Sequence, residues 1–480
     1  MEPVFPILLD LRGIPGGLGH ALQVQLRDAI TDGRLHAGMR LPSTRAAARA
    51  LGIGRNTVIA AYDRLVAEGY LIARPGAAPE VLPTRTVVGR STGLGEGETS
   101  RHLSSRWQHR SPDPEHAVVG TGSFRTGMPD ARHFPHDRWR QLMQRSLRSW
   151  GRNAFVYPPS EGIRALREAI AKHVAFTRAV SCDADDVLVT SGATQAFDLL
   201  ARVFMEPGRN RVAIESPGYP PLARAFEAAG AEIVPVPVDE QGLCIDALPT
   251  DVGVVCVTPS HQSPLGMILS QARRRALLDH AERWDAIVVE DDYDGEFRYG
   301  GRPLDSLQTL DSSARVFYVG TFSKSMFPSL RLGFIIAPRW ARNALVAAKQ
   351  LSDPHANDIL QATLAAFISE GDLARHVRRM QRIYAERREV ILHSLAGPLS
   401  KYLSVVPSEA GLHLAAHLRD GADERRIIAS AMRHLPGITT IAHHAQTAEA
   451  QTGLLFGFGC ISATEVTTSL QAFSSALRRR

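Results

Sequence analysis

Short apolar runs alternate with amphipathic helical patterns through the larger, C-terminal part of the chain. The runs are rich in valine and isoleucine, as are strands that are buried on both faces of a sheet. They cover residues 187–189, 211–214, 233–236, 253–257, 287–290 and 316–319. The alternation predicts an α/β domain over residues 116–480, with a mostly parallel sheet covered by helices. Long amphipathic stretches such as Leu373 to Leu395 predict a smaller subdomain from about residue 345 to residue 480.

The beginning of the chain has a different pattern, with three helical segments followed by a strand-like segment. Leu22 and Leu26 repeat at helical spacing in the first segment. The second is alanine-rich over residues 45–51, and the third begins at about Arg55. Because a short turn joins the last two helices and a hairpin-like segment follows, residues 1–83 are predicted to form a winged helix-turn-helix domain.

This N-terminal segment is also basic. Between positions 34 and 74 there are seven arginines and two acidic residues. Side chains at the N-termini of the second and third predicted helices can reach the phosphates or base edges of double-stranded DNA. These candidate DNA-binding residues are Arg45, Arg55, Asn56 and Thr57. A three-helix protein-binding module with solvated arginines is the alternative interpretation.

Residues 84–115 separate the two predicted domains. They are rich in serine, threonine, glycine and arginine and contain few apolar residues. A segment of this composition cannot bury a core, so it is predicted to be a flexible linker.

The bulk composition adds limits on the class of protein. The 480 residues carry a net charge of +6 and are 44% hydrophobic, which is typical of a soluble globular protein with two or three domains. No apolar run approaches the length needed to span a bilayer, and the N-terminus lacks the basic cluster of a signal peptide. The four cysteines form neither a metal-binding spacing nor a disulfide framework. A cytoplasmic protein without a metal site is therefore predicted.

One stretch, residues 316–334, places a lysine directly after a buried strand. It reads VFYVGTFSKSMFPSLRLGF, so that Lys324 follows the strand and Arg331 comes seven residues later. The chain has only four lysines and uses arginine at its other basic positions. A desolvated lysine can lose its proton and form a Schiff base, which arginine cannot do. The alternative is an ordinary surface lysine at a strand end.

Three other segments supply what such a lysine would need. Ser191 to Gln195 joins an apolar run to a helical pattern, and the free N–H groups of a helix start bind anions. Residues 287–294 end in carboxylates and a tyrosine, and residues 215–220 place Tyr219 in a turn with two prolines. A lysine, phosphate donors, a carboxylate for a ring nitrogen and an aromatic ring are what pyridoxal 5'-phosphate (PLP) requires.

The motifs TPSHQSPLG, EDDYDGEF and TFSKSMFPSLRLG resemble those of fold type I PLP enzymes of the aspartate aminotransferase group. They look more specifically like those of the MocR/GabR-type regulators, which fuse a GntR-like winged helix to an aminotransferase-like domain. The resemblance runs from about Phe124 to the C-terminus. The sequence RLPSTRAAARALGIGRNTVIAAYDRLVAEGYL resembles the GntR winged helix, in which the equivalents of Arg45, Arg55 and Thr57 face DNA. The wing, with GAAP at residues 76–79, lacks the second glycine that is common in that family.

The chemistry of these side chains assigns a role to each, and the resemblance puts the lysine, the aspartate, the tyrosine and the arginine at the same positions. Lys324 is expected to form the Schiff base with PLP. Asp291 is expected to pair with the protonated pyridine nitrogen, Tyr293 to donate to the phenolic oxygen of the ring, and Tyr219 to stack on the ring. The residues expected to hold the phosphate are Gly192, Ala193, Thr194, Thr321, Ser323 and Arg331.

Two positions depart from the family's pattern. Ser263 replaces the usual aromatic residue, so that it is left open which of His261, Gln262 and Ser263 approaches the cofactor. Near the C-terminus, Cys460 stands where the GABA-responsive member has an arginine for the effector's carboxylate. The resemblance therefore implies that this clamp is missing, or is supplied by Arg224 or by main-chain donors. An effector without an α-carboxylate, or with a sulfonate, would also suit this departure.

The leading interpretation is a PLP-dependent transcriptional regulator that binds promoter DNA. It would sense a small amine or amino acid, such as GABA or taurine, through an external aldimine formed at Lys324. The alternatives are an active aminotransferase with an accessory DNA-binding domain, and a DNA-binding protein that senses PLP itself. The resemblance also implies a head-to-tail homodimer, in which the turn from Tyr157 to Gly162 approaches the neighbouring subunit's cofactor.

Overall fold

The computed structural model of the protein describes the conformation of most of the chain. The described residues are 5–11, 16–74, 77–83, 102–104, 107–108, 122–151, 156–300, 305–446 and 452–478. They belong to two compact units, Met1–Gln108 and His109–Arg480. The linker predicted over residues 84–115 lies almost entirely outside the described residues.

The first unit is a small helical domain with a two-stranded wing. Its elements are α1 (Leu18–Thr31), α2 (Thr44–Leu51), α3 (Arg55–Ala67), β1 (Leu71–Ile72) and β2 (Glu80–Val81). The Ser43 hydroxyl caps α2 by accepting a hydrogen bond from the Ala46 N–H at 3.2 Å, and Gly52 ends this helix in the left-handed conformation. The turn into α3 is therefore short, the apolar faces of the helices share one core, and β1 pairs antiparallel with β2. Residues 75–76, at the predicted wing tip, lie outside the described residues.

The described part of the second unit contains an eight-stranded sheet. Its strands are β3 (Val187–Thr190), β4 (Arg211–Ser216), β5 (Glu232–Asp239), β6 (Gly242–Leu243), β7 (Val254–Val257), β8 (Ile287–Asp292), β9 (Val316–Thr321) and β10 (Gly333–Ile336). Their order across the sheet is β3-β10-β9-β8-β7-β4-β5-β6. The pairs from β9 through β8, β7 and β4 to β5 are parallel, whereas β10 lies antiparallel between β3 and β9. The carboxyl ends of β3, β4, β7, β8 and β9 therefore meet at one edge of the sheet.

Helices cover both faces of this sheet and build a smaller subdomain. The helices are α4 (His136–Trp150), α5 (Arg164–Arg178), α6 (Ala193–Phe204), α7 (Pro220–Ala228), α8 (Gln271–Arg283), α9 (Leu307–Leu310), α10 (Arg339–Ser352), α11 (Asp358–Ser369), α12 (Asp372–Ala396), α13 (Glu424–His434) and α14 (Ala463–Arg478). Consecutive residues of β8, Val288 and Val289, enter two different apolar clusters on the opposite faces of the sheet, as strand alternation requires. A second, antiparallel sheet in the subdomain has the order β11-β12-β14-β13. Its strands are β11 (Leu403–Val405), β12 (His413–Leu418), β13 (Thr439–Thr440) and β14 (Gly453–Gly457).

The predicted fold class is confirmed: a mostly parallel sheet covered by helices follows a winged helix-turn-helix domain. β10 is not among the predicted strands, because its four residues directly follow the lysine motif TFSKSMFPSLRL and form only a short apolar run. Its insertion places β3 beside β10 and away from the parallel strands. Among the described helices, none combines the length and apolarity needed to cross a bilayer.

Candidate functional site

The segments singled out in the sequence meet at the edge of the sheet where the parallel strands end. Ser191 and Tyr219 follow β3 and β4. His261 follows β7, Asp291 lies at the end of β8, and Lys324 lies just beyond β9. In open α/β sheets this edge is where ligands bind.

Lys324 is enclosed by a loop that contains Gly127. Its Nζ donates a hydrogen bond to the carbonyl oxygen of Gly127 at 2.7 Å. Gly127 has a φ of +68°, and a Cβ there would lie 2.6 Å from Nζ, so the contact requires a glycine. Burial lowers the pKa of Lys324, although the carboxylates of Asp294 and Asp291 favour the charged form. The amine is therefore prepared to attack a carbonyl group.

The start of α6 offers backbone donors to an anion. Gly192 precedes the helix with a φ of +87°, and no side chain caps the first turn, so its N–H groups have no partner within the helix. The Arg331 guanidinium lies against Gly192, where a Cβ would come within 3.2 Å of the Arg331 Cζ. Arg331 also donates to the carbonyl oxygen of Ser191 at 2.7 Å. The helix start and this arginine can therefore hold one phosphate group.

The remaining residues predicted for the phosphate lie on the two segments that flank this position. Ala193 and Thr194 are the first two residues of α6, and Thr194 is exposed. On the other segment, the Thr321 hydroxyl donates to the Ser323 hydroxyl at 3.0 Å and accepts from the Ser323 N–H at 3.2 Å. Because Thr321 pairs with Gly333 across β9 and β10, both ends of the loop that contains Lys324 are anchored in the sheet.

One oxygen of the buried Asp291 carboxylate lacks a partner among the described residues. Its Oδ1 has no hydrogen bond with any residue that the structure describes. Burial raises the pKa of Asp291 well above its usual range, and the neighbouring carboxylates of Asp292 and Asp294 add to this effect. A protonated ring nitrogen would supply both the missing donor and the missing positive charge.

Tyr293 and His261 are in direct contact. The phenol oxygen of Tyr293 is 2.8 Å from Nδ1 of His261, and the same nitrogen is 3.0 Å from Oδ2 of Asp294. Burial, helped by the carboxylates of Asp294 and Asp291, raises the pKa of Tyr293 well above its usual range. The phenol therefore keeps its proton and can donate it to a ligand.

The residues beside His261 and Tyr293 shape the rim of the site. The Gln262 amide donates to the carbonyl oxygens of Pro217 and Ser263, both at 2.8 Å, and so joins the two loops that follow β4 and β7. The Tyr219 ring lies edge-on to Phe197, with 6.4 Å between ring centroids. Stacking of Tyr219 on a cofactor stays a prediction.

Comparison with known proteins bears on both units. The profile of the bacterial regulatory proteins of the GntR family matches residues 20–81, and that of class I and II aminotransferases matches residues 124–435. The probable rhizopine catabolism regulatory protein MocR of Rhizobium meliloti is 35% identical over 95% of this chain and 92% of its own length. The chain belongs to the MocR-type regulators.

Further relatives agree with this assignment. The pyridoxine biosynthesis transcriptional regulator PdxR of Corynebacterium glutamicum is 33% identical over 93% of this chain and 92% of its own length. The crystal structure of kynurenine aminotransferase from Pyrococcus horikoshii superposes with a TM-score of 0.72 and 25% identity, over 80% of this chain and 98% of that one. The family resemblance predicted from the sequence motifs is therefore confirmed.

The residues at the sheet edge of this MocR-type regulator fit PLP. Asp291 offers a carboxylate whose Oδ1 has no partner among the described residues, and Lys324 offers an amine whose pKa is lowered. Gly192 and Arg331 form a cradle that a Cβ at position 192 would crowd. When bound, PLP supplies an aldehyde that condenses reversibly with primary amines.

Several residues of the site were missed at the level of sequence. Arg125 lies two residues before Gly127, and its charge contributes to the lowered pKa of Lys324. Arg125 and Gly127 both lie in the segment FRTGMPD, which could have pointed to them. Asp294 could have been found as the last carboxylate of EDDYD. Arg224 lies in α7, and its role in binding an effector stays a prediction.

The environment of Cys460 is packed rather than open. Its Sγ lies 3.3 Å from the carbonyl oxygen and 3.5 Å from the hydroxyl of Ser123. The neighbouring Arg387 donates to the carbonyl oxygen of Gly459 at 2.7 Å and pairs with the buried Asp130 at 2.5 Å. Cys460 thus fills a packing position next to an arginine that already has partners.

The predicted DNA-binding residues lie at the starts of α2 and α3. Arg45 is exposed in the first turn of α2, and Arg55 and Asn56 are exposed at the beginning of α3. Thr57 differs, because it is half-buried and its methyl group packs against α1. Three of the four side chains are therefore exposed to solvent, although Nε of Arg55 donates to the Thr44 hydroxyl at 3.5 Å, and their contact with DNA stays a prediction.

Proposed function

We propose that this MocR-type regulator binds promoter DNA through its first unit and senses a small primary amine at PLP held by Lys324. The observation that carries the proposal is that one chain contains both a GntR match over residues 20–81 and a cofactor site with a prepared lysine. An effector amine takes the place of Lys324. The released Nζ then has the carbonyl oxygen of Gly127 as an acceptor, at the 2.7 Å seen here.

The effector is proposed to contain an anionic group as well as the amine. The charge of Arg125 acts on Lys324, whereas Cys460 is packed against Ser123. Arg125 is therefore the proposed partner of a carboxylate or sulfonate, with Arg224 and main-chain donors as the alternatives. GABA and taurine both meet this description, because each joins a primary amine to an anionic group.

The regulator is also proposed to act as a head-to-tail homodimer. Three large apolar side chains of the second unit are almost fully exposed, Tyr157 at 87%, Phe176 at 92% and Leu351 at 88%. Large apolar side chains left in water in this way are typical of protein–protein interfaces. Tyr157 belongs to the turn that is predicted to approach the neighbouring subunit's cofactor, so pairing of subunits would cover it.

The proposed division of labour follows the predicted domains. Residues 1–83 bind DNA, with Arg45 and Arg55 at the helix starts, and residues 116–480 bind the cofactor and the effector. Residues 84–115 tether the two, so that a change in the sensor alters how two winged helices reach their half-sites. The cytoplasm is the proposed compartment.

The test combines the visible absorption of bound PLP with DNA binding by the full-length protein. Fluorescence anisotropy is measured for a labelled DNA fragment taken from upstream of the gene that encodes this protein, with and without GABA or taurine. Lys324→Ala is expected to abolish both the absorption band and the amine response, while Lys401→Ala, at an exposed lysine, leaves both unchanged. Arg55→Ala is expected to weaken DNA binding about tenfold and to keep the band.

A response to amines that survives in Lys324→Ala would contradict the sensing proposal. Steady release of a keto or aldehyde product from the amine would favour the second candidate, an active aminotransferase. The observation behind that candidate is the fold that the second unit shares with kynurenine aminotransferase.

A further inference from the structure

A buried polar cluster lies beside the cofactor site and has no role in the function proposed above. This histidine–aspartate cluster consists of His261, Asp294 and His413, all almost completely buried. Nδ1 of His261 is 3.1 and 3.0 Å from the two carboxylate oxygens of Asp294, and the two histidine rings are 5.0 Å apart. The phenol oxygen of Tyr293 approaches the cluster to 2.8 Å, at the same Nδ1.

The backbone at Gly411 makes room for this cluster. Gly411 has a φ of +83°, and a Cβ there would lie 2.0 Å from Cε1 of His261 and 2.7 Å from Oδ2 of Asp294. The Tyr299 hydroxyl donates to the carbonyl oxygen of Gly411 at 2.7 Å and holds this loop in place. The orientation of the His261 ring is therefore set by close packing on one side and by Asp294 on the other.

The hydrogen bonds indicate where each histidine has its proton. His413 Nε2 lies 2.8 Å from the carbonyl oxygen of Pro264, an acceptor, and burial together with the nearby His261 lowers the pKa of His413 to about 3. His413 is therefore neutral and donates from Nε2. An ionised Asp294 can only accept, so His261 must donate to it from Nδ1.

Ligand atoms of His261, Asp294 and His413 lie within 4.8 Å of one another, as they would around an ion. The contacts seen in the structure are hydrogen bonds, because Nδ1 of His261 and Nε2 of His413 each direct a proton at an oxygen. Nε2 of His261 has no partner among the described residues.

The proton on Nδ1 determines how Tyr293 bonds. Nδ1 of His261 carries a single hydrogen, which points at Asp294, so this nitrogen has no lone pair with which to accept from the phenol. The phenol proton must then point elsewhere, toward the neighbouring Ser263 hydroxyl or toward a ligand. We propose that Asp294 and His261 are positioning residues that make Tyr293 a hydrogen-bond donor toward the ring oxygen of bound PLP. The inference rests on the cofactor site of the proposed function, and it needs neither DNA binding nor an effector.

The expected effect can be read from the pH dependence of the cofactor's visible band. The charged groups around Tyr293 are Asp294 and Asp291 of its own segment and Glu215 at the end of β4, and Lys324 faces the same two aspartates. A phenol that donates to the ring oxygen competes for it with the protonated nitrogen of Lys324. Tyr293→Phe is therefore expected to raise the midpoint pH, at which half of the change in the visible band has occurred, by about one pH unit.

The test is a double-mutant cycle on the PLP-loaded full-length protein. The midpoint is measured in the wild type, Tyr293→Phe, His261→Gln and the double variant, and effects of altered charge cancel between the two backgrounds. In the His261→Gln background, Tyr293→Phe is expected to shift the midpoint by less than half of its shift in the wild-type background. Tyr402→Phe is the matched control, because the phenol hydroxyl that it removes donates to the carbonyl oxygen of Leu477 at 3.1 Å, outside the cluster, and its midpoint should stay at the wild-type value.

Equal shifts in both backgrounds would overturn the inference. If His261→Gln fails to fold, as judged by circular dichroism, Asp294→Asn provides the second background with the same expectation. A wild-type protein with no visible band would remove the cofactor site, which is a failure of the proposed function. A normal band with purely additive shifts would be a failure of this inference alone.

Discussion

Two lysines of the second unit are enclosed by the protein in contrasting surroundings. Nζ of Lys324 donates to the carbonyl oxygen of Gly127 at 2.7 Å, and Nζ of Lys349 donates to that of Asp353 at 2.8 Å. Burial lowers the pKa of both lysines. Lys349 is completely buried and has the Asp353 carboxylate at 3.5 Å. Lys324 keeps part of its surface open, and the carboxylates at and after the end of β8 act on it from farther away.

The difference teaches that burial and a lowered pKa do not by themselves make a lysine reactive. Asp353 accepts hydrogen bonds from the Ser191 hydroxyl at 3.1 Å and from the Gln195 amide at 3.2 Å. Both donors belong to the segment that starts α6. Lys349 therefore balances the charge of the carboxylate that holds this segment, where the phosphate is predicted to bind. Lys324 is half-buried, and its amine is held by a neutral carbonyl oxygen, an acceptor that binds an amine less strongly than a carboxylate does.

The largest expected effect separates the two lysines directly. Lys324→Ala is expected to remove the visible absorption band completely, because no other amine occupies its place. Lys349→Met keeps the length of the side chain and is expected to retain the band. Absorption spectra of both variants with excess PLP check this, and a band in Lys324→Ala or its absence from Lys349→Met would break the comparison.

The next effect concerns Glu215, a buried carboxyl group at the end of β4 whose charge acts on Asp291. Glu215 is fully buried, and burial raises its pKa from 4.5 to about 7, although the hydrogen bonds from Thr258 act to lower it. The folded state thus holds this proton more tightly than the unfolded state, so the free energy of unfolding falls as pH rises from 4.5 to about 7. The loss amounts to about 3 kcal/mol.

Glu215→Gln is expected to remove this loss, because a neutral amide does not titrate. Urea denaturation of the apoprotein at about pH 5 and about pH 8 should show the variant gaining stability relative to the wild type at the higher pH. Asp246→Asn, at an exposed position, is the control and should follow the wild type. A difference between Glu215→Gln and the wild type that is the same at both pH values would contradict the expectation.

The smallest expected effect concerns Asp353, the carboxylate that pairs with Lys349. Asp353→Ala removes the acceptor for Ser191 and Gln195, so the cradle loses its fixed shape, and the affinity for PLP is expected to fall about tenfold. Fluorescence titration of the apoprotein with PLP measures this, with Glu240→Ala, at an exposed acidic residue between β5 and β6, as the control. Unchanged affinity in Asp353→Ala would mean that α6 is held without it.

Much of the fold and the outline of the site could be predicted from the sequence, because their signals are local. Apolar runs marked the parallel strands, and Lys324 and Asp291 directly follow or end such runs. The supporting contacts could not be predicted, because they join distant parts of the chain. Asp353 and Ser191 are 162 residues apart, and His261 and Asp294 are 33 apart. β10 was missed for a related reason, since its place between two strands depends on pairing that its four residues do not reveal.

The position of β10 has a consequence for time scales. Gly333, its first residue, pairs with Thr321 on one side and with Thr190 on the other. Arg331 therefore stays in place whichever way the amine of Lys324 points. We expect exchange of effectors to be fast and release of the cofactor to be slow. One loaded protein molecule can then sample the amine concentration many times before it needs a new cofactor.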